Sequence, residues 1–187
     1  MDETAIVRRT RRWIADFVIG LNLCPFARRV FEAGAIRYTV SSAKDQQSLL
    51  TDLTRELELL AATPIAKVET TLLIHPLVLT NFLEYNDFLD AAERRIDDLT
   101  LAGVIQLASF HPDYQFAGSP PDDVGNYTNR SPYPLLHLLR EESVSRVAAD
   151  PTELLEIPKR NVATLLSLGR DRILELHRAL HEEATGP

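Results

Sequence analysis

A handful of histidines and one cysteine carry most of the chemistry that this sequence offers. His75 and His111 occupy matching places, each closing an apolar run and each followed by proline (TTLLIHP and VIQLASFHP). A residue before proline is held extended, which fixes where its imidazole points. His137 lies in RSPYPLLHLLREE, four residues before Glu141, the spacing that brings side chains together on a helix. Neutral imidazole is a common metal ligand. The three histidines, with Glu141 or Asp113 as carboxylate, therefore predict a site for a divalent transition metal: iron, zinc or manganese. His111-Pro112-Asp113 also has the H-x-D spacing of 2-His-1-carboxylate iron centres, a short pattern that recurs by chance. The metal would act as a Lewis acid in hydrolysis or as an open-site iron in oxygen chemistry. Arg130 and Arg140 would clamp a carboxylate or phosphate of a small polar substrate, and Asn126 and Asn129 would orient it.

Cys24 supports a different, metal-free chemistry. It is the only cysteine, so an internal disulfide, a zinc ribbon and a CxxC redox pair are excluded. Ahead of Pro25 it falls at the predicted N-cap of a short helix, where the dipole, Arg28 and Arg29 would favour a thiolate. With His75, His111 or His137 as base it would serve acyl transfer or thiol redox work. Two alternatives stand beside this: a small buried hydrophobe among Leu21, Leu23 and Phe26, or a soft metal ligand. A third reading has no catalysis, only a small-molecule-binding or partner-docking protein whose histidines hydrogen-bond a ligand. His177 and His181 are i, i+4 near a helix C-terminus and read as cations suited to its dipole. GxSxG, HExxH, GxxxxGK[ST] and GxGxxG are all absent, which removes the usual support for serine hydrolases, zincins, P-loop NTPases and Rossmann dehydrogenases.

The elements that must position these residues follow from hydrophobic period. Ile6, Trp13, Ile14, Phe17 and Val18 predict an amphipathic helix over 4–19, stopped by Gly20, with Arg8, Arg9, Arg11 and Arg12 on its solvated face. A short helix runs from Pro25 to about Ala33. Strands are predicted at 36–41, 68–74 and 104–110, separated by helices at 45–61 and 81–100. The order β-α-β-α-β, with long helical connections, predicts an α/β fold on a small parallel or mixed sheet of three to four strands. The C-terminal third is predicted helical. One helix starts near Pro132–Pro134 and runs to about Ala148, a short one begins at Asp150-Pro151-Thr152-Glu153, and the last spans about Asn161 to Glu183. Residues 110–134 show no sustained period and hold five prolines, the mark of a functional loop. In a parallel sheet ligands bind beyond the carboxyl ends of the strands. The pocket is therefore expected there, roofed by the 110–134 loop and the Cys24 turn.

Length and composition set the frame. A chain of 187 residues is expected to be one domain, 1–187, able to bury a core without staples. With 45% hydrophobic and 25% charged residues it has globular rather than disordered composition. A net charge of −7 argues against nucleic acid as partner, since phosphate neutralisation needs a basic surface. No apolar run approaches a membrane span and no secretory core opens the chain, so no membrane partner and a cytoplasmic setting are expected, with a small molecule as substrate.

The fragments GLNLCPFA, TTLLIHP, QLASFHPDYQFAG and NRSPYPLLHLLREESV together resemble an uncharacterised bacterial family, domain of unknown function 1415, from about Trp13 to Arg178. The resemblance implies that Asn22, Cys24, His75, His111, Asn129, Arg130, His137, Arg140 and Glu141 belong to the family's recurring blocks. It supplies no reaction.

Overall fold

Leu49, Leu53, Leu57 and Leu60 recur every three or four residues and form the buried stripe of a long helix, Gln46–Ala62, capped by the Asp45 carboxylate on the Ser48 N–H at 2.8 Å. The computed structural model describes residues 1–147 and 151–180. In chain order it has α1 (Glu3–Arg12), a π-helix (Trp13–Ile19), α2 (Ala27–Glu32), β1 (Ile36–Val40) and α3, the Gln46–Ala62 helix. β2 (Thr70–Ile74), α4 (Phe82–Asp98) and β3 (Ile105–Phe110) follow. A 3-10 turn (Val124–Thr128) precedes β4 (Leu135–Arg140), and α5 (Glu141–Val147), α6 (Pro151–Leu168) and α7 (Arg170–Ala179) complete the described chain. The predicted β-α-β-α-β core is present in this mixed α/β fold, with boundaries within two residues.

The sheet order is β1-β2-β4-β3. β1 and β2 are parallel, whereas β4 runs antiparallel to both of its neighbours. The expected helix over 132–148 is a strand to Arg140, and only then α5. Leu135, Leu136 and Leu138 are fully buried on both faces of the sheet, and a strand covered on both sides shows an unbroken apolar run. His137 and Glu141 therefore do not form a helical i, i+4 pair.

Alternation along the strands divides two cores. Leu73, Leu136 and Leu138 face α3 and α4, where Tyr85, Phe88 and Ala92 meet them. Leu72, Ile74 and Leu135 face the other way, toward Ile6, Trp13, Ile14 and Phe17 and toward Leu165 and Ile173 of the C-terminal helices. The result is a three-layer α/β/α arrangement. On the α3 side, Arg37 Nε donates to the buried Glu56 carboxylate at 2.6 Å and ties β1 to that helix.

Two helical expectations change in detail. The first helix widens at Trp13 into π geometry, with Gly20 N–H bonded to Ala15 O and Leu23 N–H to Val18 O, five residues back. Gly20 is needed there, because a Cβ would lie 2.1 Å from the Asp16 carbonyl oxygen. At the C-terminus α6 continues through Pro158, and Gly169, at φ +84°, separates it from α7. Asp150 and His181 lie outside the described residues. Among the described residues, no helix is long and apolar enough to cross a membrane.

Candidate functional site

His75 and His111 follow β2 and β3 at the same edge of the sheet, as their matching contexts imply. Both are fully buried on the α4 side, and both are used by the backbone. His75 Nδ1–H donates to the Val78 carbonyl at 3.0 Å. The Asp113 N–H donates to His111 Nδ1 at 3.0 Å, so His111 Nε2–H is the donor to the Leu79 carbonyl at 3.2 Å. The two imidazoles thus clasp the turn after β2, where Leu79 adopts a left-handed φ of 56°. They pack in an aromatic cluster, with ring centroids 5.8 Å from His75 to Tyr85 and 5.1 Å from Tyr85 to His111. Burial pushes the His75 pKa down to about 4 and also lowers that of His111, so both are neutral at pH 7.

His137 is elsewhere. Its position in β4 puts it on the opposite face, with Leu135, beneath the π-helix. The sheet itself separates it from His75 and His111, so the expected three-histidine ligand set is not assembled. Asp113 is exposed and Glu141 begins α5 at the far end of β4. Among the described residues no group of three or more His, Cys, Asp or Glu side chains is placed to hold a metal ion.

The predicted anion clamp is also engaged otherwise. Arg140 Nη2 donates to the carbonyls of Leu60 and Thr63, each at 2.5 Å, and of Val68 at 3.2 Å, closing the end of α3. Arg130 donates to the Tyr114 and Pro121 carbonyls at 3.2 and 2.7 Å and lies over the Tyr127 ring. Asn126, fully buried, accepts from the Phe116 N–H at 3.0 Å and donates to the Pro120 carbonyl at 2.9 Å. Asn129 donates to the Ser109 carbonyl at 3.1 Å. These side chains fold the 110–134 segment onto itself, where the backbone lacks ladder partners.

Cys24 and His137 do come together, as walls of one cavity of about 90 Å³ between the π-helix, α2 and the sheet. Most of its lining is apolar, from residues such as Ile14, Val30, Ile36, Leu72 and Phe110. It lies against the middle of the sheet rather than beyond the strand ends, and of the 110–134 loop only Phe110 reaches it. Asn161 of α6 donates to the Leu23 carbonyl at 2.6 Å and fixes the Cys24 turn. Burial pushes the thiol up; the N–H groups of Phe26 and Ala27 and the charge of Arg160 pull against this without overcoming it. The thiol is therefore protonated at neutral pH, contrary to the thiolate expected at a helix start.

Thr70 Oγ1 lies 2.6 Å from the Leu138 carbonyl, a contact that uses the hydroxyl proton. It also lies 2.7 Å from His137 Nε2, so Nε2–H must donate and Nδ1 carries the lone pair. Burial lowers the pKa of this ring to about 4. Trp13, on the cavity wall, is 2% exposed, packs edge-on against Phe110 at 5.4 Å and leaves its indole N–H without a partner. At one end the buried Glu69 carboxylate is paired with Arg29. Burial would raise Glu69 most strongly, but Arg29, Ser143 and Arg146 together hold it below the usual range.

A family model described as "Protein of unknown function (DUF1415)" matches residues 5–175, most of the chain. The chain belongs to the DUF1415 family. No curated protein and no solved structure matches it. In this DUF1415 protein the cavity draws its walls from the π-helix, the Cys24 turn, α2, all four strands and α5, all within the matched span. Sequence reasoning found Cys24 and His137 but missed Trp13, Glu69, Thr70 and Ser143. Trp13 reads as a core residue by period. Its unmatched N–H is a property of packing with no sequence signal.

Proposed function

We propose that this protein binds a small, mainly apolar molecule in the cavity between its π-helix and sheet. The observation that carries the reading is a cavity with almost wholly apolar walls, in which Cys24 and the neutral His137 imidazole stand among the lining residues. A π-helix supports the same place, since such turns occur frequently at functional sites. By proportion with a 150 Å³ cavity that holds benzene, 90 Å³ takes about three or four non-hydrogen atoms. At a ceiling of about 1.5 kcal/mol per atom, dissociation constants no tighter than some tens of micromolar, about 40 μM, are expected.

A thiol-chemistry reading is favoured by the shared cavity of Cys24 and His137, with a different resting state from the one first expected. The site holds a neutral thiol and a neutral imidazole, so nucleophilic attack would require the proton to move as the substrate engages. The binding reading needs no such transfer and is preferred.

Trp13 is the only tryptophan, so intrinsic fluorescence reports on the cavity wall directly. Titration with small apolar compounds should change its emission saturably and raise the melting temperature. Ala27→Phe, at the half-buried rim, should fill the cavity and abolish both responses. Absence of any saturable response at millimolar ligand, or an undiminished one in Ala27→Phe, would refute the proposal.

A further inference from the structure

Resting on the cavity reading, we infer that the ligand is a short-chain amphiphile, with an unbranched aliphatic tail of about three or four carbons inside the cavity and a carboxylate head outside it on Arg160. The almost wholly apolar walls exclude a polar group from the interior, where it would be desolvated without compensation. Their polar side chains serve other partners: Glu69 is paired with Arg29, and Thr70 bridges His137 and the Leu138 carbonyl. The Trp13 indole N–H and the Ser143 hydroxyl have no partner, but both are closed off by packing and present no surface to a ligand. A polar head therefore has to stay at the mouth.

Cys24, Phe26 and Ala27 are the half-buried part of the wall where the turn enters α2. α6 abuts this turn. The Asn161 amide holds the Leu23 carbonyl at 2.6 Å, and Arg160, the residue before it, is exposed. The charge of Arg160 reaches the Cys24 thiol on the cavity wall, as it would reach an anionic head there. Neighbouring cations are engaged, Lys159 with Glu156 and Arg29 with Glu69, whereas among the described residues Arg160 has neither an ion pair nor a side-chain hydrogen bond. A guanidinium suits a carboxylate, which it can hold by two parallel bonds. Each methylene taken from water tightens binding about fourfold, and an exposed ion pair adds about two- to fivefold.

The test titrates the straight-chain carboxylates from propanoate to octanoate into the full-length protein at pH 7.5 and low salt, following Trp13 emission and melting temperature. Pentanamide and butylammonium, which carry the same four-carbon tail as pentanoate, are run beside them. Affinity should rise about fourfold per carbon as far as pentanoate and then level off. Pentanamide should bind about two- to fivefold more weakly than pentanoate, and butylammonium more weakly still. Arg160→Gln, an exposed substitution, should bring pentanoate down to the level of pentanamide and leave pentanamide unchanged. Pentanamide or butylammonium binding as tightly as pentanoate, or pentanoate unaffected by Arg160→Gln, would overturn the anionic head. A steady climb through octanoate would overturn the tail length. Each of these results leaves the cavity reading standing, whereas no saturable response to any compound, or responses undiminished in Ala27→Phe, would refute the cavity reading itself.

Discussion

Acid should unfold this protein earlier than carboxylate titration alone would bring about. His75 and His137 lie on opposite faces of the sheet, and burial holds each near pKa 4 against about 6.5 in an unfolded chain. A folded pKa below the unfolded one means that the unfolded chain takes up the proton first. Stability is then full above about pH 6.5 and is lost as pH falls toward 4. One pKa unit corresponds to about 1.4 kcal/mol, so each histidine costs on the order of 2 kcal/mol by pH 5 and 3 at the limit. Together they remove about 4 kcal/mol between pH 7 and 5, a large part of the 5–15 kcal/mol typical of a domain. His111, lowered in the same direction, adds to the loss. The carboxylates held below their usual range, Asp45, Glu69 and Asp122, begin to contribute only at lower pH, so the window from pH 7 to 5 isolates the imidazoles. Urea unfolding followed by circular dichroism at half-unit pH steps measures the effect, with a constant denaturant slope as the two-state check. His75→Asn should lower stability at pH 7 and flatten the slope by about 1.4 kcal/mol per unit. A loss below 1 kcal/mol from pH 7 to 5 would refute the reasoning, as would an unchanged slope in the variant.

Two further outcomes follow from the hydrogen bonds. Tyr85 Oη accepts from the Phe110 N–H and donates to the Leu135 carbonyl, each at 2.9 Å, in a fully buried position. Tyr85→Phe should cost about 2–4 kcal/mol in urea unfolding by stranding both groups, and a loss under 0.5 kcal/mol would show that the ladder satisfies them without the hydroxyl. Arg140→Met removes the donor to three carbonyls at the end of α3; a loss of about 2 kcal/mol is expected, Arg140→Lys should recover only part of it, and full recovery by lysine would contradict the multi-carbonyl role.

The legibility of the chain in its sequence is uneven for physical reasons. The β-α-β-α-β core can be read because α3 and α4 bury one stripe each and keep a clear period, as Leu49, Leu53, Leu57 and Leu60 show. β4 cannot be read the same way. LLHLL is buried on both faces, has neither period, follows Pro132 and Pro134, which also suit a helix start, and runs directly into a true helix at Glu141. A helix over 135–140 would put His137 and Glu141 on one face and let the histidines gather; the strand sets His137 on the opposite face of the sheet from His75 and His111, and Glu141 begins the next helix. The π-helix reads in the sequence as an ordinary continuation, since the wider turn leaves Trp13, Ile14 and Phe17 at nearly helical spacing. Cys24 stood out by type, and the cavity it lines depends on which face each strand residue takes.

The placement of β4 also governs how the chain can be made. β2 and β3 share no hydrogen bonds, and each reaches its neighbour only through the strand that is synthesised last. A nascent chain that has emerged as far as Phe110 therefore presents two open edges with nothing between them. At 5–20 residues per second, roughly 2–6 s pass before Arg140 is added. Open edges of this kind are templates for pairing with other chains. Premature termination anywhere between the third and fourth strands should therefore yield an aggregating fragment.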